Sequence, residues 1–122
     1  MDFVKIAIEE AAKSTHPQSR VGAVIYDKKK VLSRGHNYAH KSVRSVTRAF
    51  LKYPHSIHAE VAAILSARRD LKGADILVVR LDAHGNLRMA MPCHPCQNYL
   101  QFVGIRHVTY SSNEQGFGEF IL

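Results

Sequence analysis

The chain has 122 residues, a length at which one domain can bury its own hydrophobic core, and we predict a single domain over residues 1–122. Hydrophobic residues make up 46% and charged residues 22% of the sequence, a balance that argues against a disordered chain. No apolar run approaches the ~20 residues of a membrane span and no signal peptide is recognisable, so the sequence predicts a cytoplasmic protein without a membrane partner. The net charge of +7 favours anionic ligands such as nucleotides or nucleic acid, although solubility alone would also account for it.

The first half of the chain is predicted to contain a helix followed by a β-hairpin. Apolar residues at helical spacing indicate a helix over residues 2–13. Residues 21–26 form a continuous apolar run of strand length, and residues 31–35 return after a short polar turn, so these two strands should pair antiparallel. Residues 38–57 form a long connection with room for a short helix over residues 43–53.

Helices and strands alternate in the second half of the chain. The predicted order is helix 59–69, strand 76–81, helix 93–103, strand 105–110 and a last short strand 117–122. Such alternation indicates parallel pairing with right-handed crossovers. The connection before the last strand is too short for a crossover, so that strand should be antiparallel to its predecessor. We therefore predict a three-layer α/β/α fold with a mixed sheet of about five strands.

Two short motifs, each at the start of a predicted helix, carry the chemistry of the chain. The first contains His58 and Glu60, and the second contains Cys93 and Cys96 after Pro92. Because the cysteines are three residues apart, both sulfurs project from one face of their helix. One imidazole and two thiolates suit Zn²⁺, and three protein ligands leave the open position that marks a catalytic zinc. We predict His58, Cys93 and Cys96 as the zinc ligands.

Glu60 is the predicted proton carrier at this site. Zinc lowers the pKa of its bound water to near neutrality. A carboxylate beside that water can take its proton and pass it to the ring nitrogen and the leaving amine of a nucleobase. Glu60 lies two residues after the predicted ligand His58, which suits this role.

Each motif has a weaker interpretation when it stands alone. An isolated H-x-E tripeptide usually occurs by chance on the protein surface. A C-x-x-C pair can be a redox centre or can supply half of the ligands of a structural metal site. His55 or His94 could also supply a fourth ligand, which would make the zinc structural. A redox centre would leave His58 and Glu60 without a role, so the two motifs together favour a catalytic zinc.

The order H-x-E followed by P-C-x-x-C is the signature of the zinc-dependent nucleobase deaminases. The chain resembles the cytidine and deoxycytidylate deaminase superfamily over residues 3–111, because residues 21–37 are also similar to its first hairpin and residues 104–111 to its strand after the second zinc helix. The resemblance implies a five-stranded sheet between helices, a zinc cofactor, hydrolytic deamination and a homo-oligomer. It also implies substrate-binding roles for Asn37 and for the backbone of Ala59, although an asparagine at a strand end is common turn chemistry.

Three functions remain open at the level of sequence. We predict hydrolysis of a free cytosine nucleoside or nucleotide (cytidine, deoxycytidine, CMP or dCMP) to the uracil form with release of ammonia. The alternative substrate is cytosine or adenine within single-stranded DNA or RNA. The third possibility is a non-catalytic zinc-binding module, which the presence of Glu60 disfavours. Basic and aromatic residues of the long connection would suit a polynucleotide: Tyr38, Lys41, Arg44, Arg48, Phe50, Lys52 and Tyr53.

Features of the superfamily divide between these substrates. Histidine at position 58 resembles deoxycytidylate, tRNA-adenosine and polynucleotide deaminases, whereas an antiparallel last strand is similar to the free-cytidine type. Because the chain carries no recognisable nucleic-acid module beside the deaminase motifs, the sequence favours a small cytosine substrate.

Overall fold

A computed structural model describes residues 2–16, 18–39, 56–113 and 116–122. Within these ranges the helices are α1 (Phe3–Ala11), α2 (Ala59–Ala67) and α3 (His94–Val103). The strands are β1 (Arg20–Asp27), β2 (Lys30–His36), β3 (Tyr38–Ala39), β4 (Ser56–Ile57), β5 (Asp75–Leu81), β6 (Leu87–Arg88), β7 (His107–Ser111) and β8 (Phe117–Ile121). The helix predicted over residues 43–53, and the basic residues of that connection, lie outside the described residues. None of the described helices has the length and apolar character needed to span a membrane.

The main sheet has the strand order β2-β1-β5-β7-β8, with β6 paired to the end of β5. β1 is antiparallel to both of its neighbours, β5 and β7 are parallel, and β8 is antiparallel to β7. The predicted mixed sheet and the antiparallel last strand are therefore confirmed. The pattern of the sequence does not predict β3, β4 or β6, because two residues are too few to leave a periodic signal.

Helices cover both faces of the sheet, which confirms the three-layer arrangement. Alternate residues of β1 and β5 divide between the two faces. One set packs with α2 and α3: Ala23, Ile25, Ile76 and Val78. The other set packs with α1: Val24, Leu77 and Val79. Near the end of the chain Phe120 and Leu122 pack against the first of these clusters, whereas Ile121 is 76% exposed.

Helix α2 lies unusually close to the backbone of β2. A Cβ atom at Gly35 would lie 2.7 Å from the carbonyl carbon of Ala62, so only glycine allows this approach. The Ser33 hydroxyl donates a 2.6 Å hydrogen bond to the carbonyl of Ala63 on the same helix. These two contacts fix the position of α2 on the sheet, and with it the residues at the start of the helix.

Candidate active site

The two chemical motifs lie at the N-termini of α2 and α3. His58 is the N-cap of α2 and Cys93 is the N-cap of α3, both with extended backbone, and Cys96 lies in the first turn of α3. Pro95 lies between the two cysteines in that turn, where its fixed φ suits a helix start. The long strands that precede these helices in the chain are β2 before α2 and β5 before α3, and they run in the same direction because β1 is antiparallel to both. Both helices therefore begin at one edge of the sheet, where α/β folds place ligands.

The structure brings the three predicted ligands together. The Nδ1 atom of His58 lies 3.2 Å from Sγ of Cys96 and 3.6 Å from Sγ of Cys93, and all three donor atoms lie within 4.8 Å of one another. Tetrahedral zinc, with bonds of about 2.0–2.1 Å to nitrogen and about 2.3 Å to sulfur, requires a nitrogen–sulfur separation of about 3.6 Å. The donor set fits zinc in both chemistry and spacing.

A fourth protein ligand does not join this group among the described residues. His94 is exposed on α3 and does not belong to the cluster of donor atoms. His55, the other candidate, lies outside the part of the chain that the structure describes. A three-ligand set is the arrangement that leaves one tetrahedral position open for a reactant.

The pKa values of the three candidate ligands are shifted in different directions. Hydrogen bonds with Cys96 and His58 lower the pKa of Cys93 to about 4, which favours its thiolate form. The contact with Cys93, together with burial, raises the pKa of Cys96. The hydrogen bond to Cys93 also raises the pKa of His58. Binding of a metal ion by all three side chains requires loss of the protons that these contacts retain.

Glu60 lies in the first turn of α2 and is only 4% exposed. Burial raises the pKa of its carboxyl group, and this effect outweighs the hydrogen bond from its own backbone N–H and the charge of His58, which lower it. A carboxyl group with a raised pKa accepts and releases protons closer to neutral pH than an ordinary glutamate does. The environment of Glu60 therefore suits proton transfer.

A cavity of about 300 Å³ opens beside these residues. Its volume is at the lower end of the range of small-molecule sites. The lining residues are His16, Ser19, Val21, Asn37, His58, Ala59, Glu60, Arg80, Met89, Ala90, Met91 and Cys93. The lining includes every predicted site residue except Cys96, which is buried behind it against Cys93 and His58.

Asn37 and Ala59 line this cavity, as a substrate-binding role requires. The Asn37 side chain accepts a 2.9 Å hydrogen bond from the N–H of Val21 and donates a 2.8 Å hydrogen bond to the carbonyl of Ser19. These bonds orient the amide and leave each end with capacity for one more hydrogen bond. Ala59 is fully buried at the first helical position of α2, where backbone N–H groups have no partner within the helix. Their contact with a substrate remains a prediction.

Several residues that line the cavity were not among the site residues predicted from the sequence. Arg80 lies within the apolar strand β5, whose pattern predicts buried core residues. A charged residue within such a strand is the sequence signal that marks Arg80 as unusual. Met89 and Met91 are 41% and 48% exposed at the cavity, after β6. His16 lies in the turn after α1, where no sequence motif marks it.

A mixed sheet with one histidine, two cysteines and a buried glutamate at two helix N-termini is the arrangement of the nucleobase deaminase class. Residues 1–112 match the family described as the cytidine and deoxycytidylate deaminase zinc-binding region, and the chain belongs to this family. It is also 31% identical over 118 residues to an uncharacterized deaminase in the luxG 3' region of Aliivibrio fischeri, a match that covers 94% of this chain and 74% of that protein.

Solved structures with a similar fold include dCMP deaminase from the cyanophage S-TIM5. In its apo form that protein matches with a TM-score of 0.59 and 16% identity, over 92% of this chain and 86% of its own. A diaminohydroxyphosphoribosylaminopyrimidine deaminase/5-amino-6-(5-phosphoribosylamino)uracil reductase from Thermotoga maritima matches with a TM-score of 0.56 and 28% identity. This second match covers 89% of the present chain but only 28% of the longer Thermotoga protein.

Proposed function

We propose that this protein is a zinc-dependent hydrolytic deaminase of a free cytosine nucleoside or nucleotide. The observation that supports the proposal most strongly is the convergence of His58, Cys93 and Cys96, together with Glu60, at one cavity whose wall includes His58, Glu60 and Cys93. Burial of the Glu60 carboxyl group is energetically costly. Neither a structural zinc site nor a non-catalytic binding module requires a buried acid at this place, whereas a catalytic site does.

The roles of the residues follow from their positions. His58, Cys93 and Cys96 would hold a zinc ion, which supplies the Lewis acidity that makes water a nucleophile near neutral pH. Glu60 accepts one proton from the attacking water and delivers it to the ring nitrogen N3. It then takes the remaining proton from the new hydroxyl group at C4 and delivers it to the leaving amine. Water oxygen replaces the exocyclic nitrogen at C4 of cytosine, and ammonia departs.

Asn37 and Ala59 orient the substrate in this proposal. The hydrogen bonds of Asn37 to residues 19 and 21 hold its amide in one orientation at the cavity wall. The N–H group of Ala59 has no partner within α2, lies next to Glu60 and can meet an acceptor on the base. Fixed polar groups of this kind place the reacting carbon without a loss of conformational freedom on binding.

A pyrimidine substrate agrees with the size of the cavity and with the relatives. The cyanophage deaminase has a structure in complex with dCMP and dUMP, and the Thermotoga protein is named for a phosphoribosylaminopyrimidine. The antiparallel β8 is the feature that the family resemblance associates with free cytidine deaminases. A cytoplasmic location and a homo-oligomer remain predictions.

The test is a mass-spectrometric assay of the zinc-loaded protein with separate substrates. These are cytidine, deoxycytidine, CMP, dCMP, adenosine, guanine, and single-stranded DNA and RNA oligonucleotides. We expect the gain of about one dalton that accompanies replacement of an amine by a carbonyl on at least one free cytosine compound. A gain confined to oligonucleotides would keep the chemistry but replace the substrate, and a gain confined to a purine would replace the base.

A further inference from the structure

Arg80 is a charged residue on an otherwise apolar face of the sheet. On β5 it follows Ile76 and Val78 at alternate positions, and those two residues belong to the core beneath α2 and α3. Its cross-strand neighbour on β1 is Val21, which also lines the cavity. The strand therefore directs Arg80 to the side of the sheet that carries the candidate zinc ligands, and the residue forms part of the cavity wall.

The guanidinium group of Arg80 lacks protein partners among the described residues. Its Nε atom is buried without a hydrogen bond, and no described carboxylate forms an ion pair with it. Neighbouring arginines differ: Arg20 donates a 3.0 Å hydrogen bond to the carbonyl of Asp82, and Arg88 donates a 2.9 Å hydrogen bond to the Asp82 carboxylate. Arg80 as a whole is partly buried, and burial of its Nε donor without a hydrogen bond is costly. A ligand that accepts from this guanidinium group and supplies a negative charge would remove that cost.

A phosphate group meets the requirements of this position. A guanidinium is charged at every accessible pH and presents a planar fork of donors that matches two phosphate oxygens. A neutral base carbonyl would satisfy hydrogen-bonding capacity but leave the charge uncompensated. His16 and Ser19 line the same cavity. Nδ1 of His16 accepts hydrogen bonds from the N–H groups of Gln18 and Ser19, so Nε2 is the ring atom that remains to donate a hydrogen bond.

We propose that Arg80 binds the phosphate of a pyrimidine nucleotide, so that the enzyme selects a nucleoside monophosphate over the nucleoside. This inference rests on the proposed deamination of a free cytosine compound and specifies the phosphate state of its substrate. Arg80 is then a specificity-determining residue that contacts the substrate away from the reacting carbon. It contributes to binding without taking part in proton transfer.

Binding can be measured without turnover in a zinc-loaded Glu60→Gln protein. Calorimetry with dCMP, CMP, deoxycytidine, cytidine, inorganic phosphate and a single-stranded DNA or RNA oligonucleotide would be compared with and without Arg80→Gln. We expect a monophosphate to bind at least about 10-fold more tightly than its nucleoside, and Arg80→Gln to weaken only the monophosphate, by about 10- to 100-fold. Arg80→Lys, which keeps the charge but loses the fork, should give an intermediate loss.

Arg106→Gln is the matched control, because it removes one positive charge from an exposed side chain at the opposite end of the parallel strands. It should leave the affinities for all ligands unchanged. The zinc content and melting temperature of each variant report whether it is folded. If Arg80→Gln does not fold, Arg80→Lys still tests the loss of the phosphate contact.

Three results would overturn the inference. Equal affinity for nucleoside and monophosphate would remove the phosphate contact while leaving the proposed deamination intact. Equal losses for both ligands in Arg80→Gln would show a structural role or a contact with the base. Tight binding only of a single-stranded oligonucleotide, lost in Arg80→Gln, would assign the phosphate to a polynucleotide and would contradict the proposed free substrate as well.

Discussion

Glu60 and the candidate zinc ligands could be recognised from the sequence because their identity and spacing are local properties. An H-x-E tripeptide and a C-x-x-C pair keep their meaning wherever the helices are placed, provided that each opens a helix. Arg80 stands out in the sequence only as a charge within an apolar strand. Its role could not be assigned from that signal, since its environment depends on which face of β5 points toward α2 and on the absence of a described carboxylate partner. The same holds for Glu10, because two of its partners, Arg34 and His36, lie on a strand more than twenty residues away.

Glu10 illustrates a buried charge that the protein itself neutralises. The residue is 4% exposed on α1, and its carboxylate contacts His36 at 2.8 Å, Lys13 at 3.1 Å and Arg34 at 3.9 Å. Burial raises the pKa of Glu10, but the hydrogen bonds and charges of His36 and Lys13 lower it more, so the pKa lies below 4.5. Ionised Glu10 therefore ties the end of α1 to β2.

Glu10→Gln should reduce the free energy of unfolding at pH 7 by about 1–3 kcal/mol, because charge-assisted hydrogen bonds are lost. The folded pKa is depressed, so this stabilisation is complete above the unfolded pKa and disappears as the pH falls through the folded pKa. Urea unfolding at a series of pH values should show the two proteins converging below pH 4.5. The adjacent exposed Glu9→Gln is the control, and a constant difference at all pH values would contradict the assignment.

At the scale of elements, the sequence predicts most helices and strands to within a few residues. The helix predicted over residues 59–69 ends at Ala67 because Arg68 adopts a left-handed conformation, which helical periodicity does not reveal. Strands β3, β4 and β6 arise from tertiary pairing of only two residues each. The close approach of α2 to β2 is also a tertiary property, although it depends on the single residue Gly35.

Gly35→Ala should displace α2 and thereby disturb the candidate zinc site. The added methyl group meets the backbone of α2, and overpacking of this kind costs about 1–3 kcal/mol. We expect a lower melting temperature together with weaker zinc binding in a competition assay with a chelator. Gly22→Ala is a matched control, because its Cβ would lie 2.5 Å from the backbone nitrogen of Ala11 on α1, which carries no candidate ligand. Equal zinc affinities of the two folded variants would refute the link.

The molecule as a whole combines a predictable architecture with a strand order that the sequence does not specify. Alternation of helices and strands predicts three layers, and the short final connection predicts the antiparallel β8. Which strands become neighbours depends on packing across the whole sheet, and the central position of β5 between β1 and β7 could not be derived from periodicity. The candidate site is likewise a product of the whole fold, since its ligands come from two helices that follow different strands.

Removal of zinc should therefore destabilise the folded chain as well as inactivate it. A ligand present at about 1,000 times its dissociation constant stabilises a protein by about 4 kcal/mol, so a chelator should lower the melting temperature by about 10 °C or more. Scanning calorimetry with and without a chelator, followed by addition of zinc, measures this shift. The same chelator should leave the melting temperature of His58→Ala nearly unchanged, and an equal shift in that variant would show that the metal binds elsewhere.

The central claim is that His58, Cys93 and Cys96 hold a zinc ion at which Glu60 transfers protons during deamination. The most direct measurement determines zinc content and deamination rate together for the wild-type protein and for Glu60→Gln, with the cytosine compound that the wild-type protein converts fastest. We predict one zinc ion per chain in both proteins and a loss of rate of about 10²- to 10⁴-fold in the variant, because general acid–base catalysis contributes about this much. An undiminished rate in Glu60→Gln, or deamination by a wild-type protein without zinc, would contradict the account.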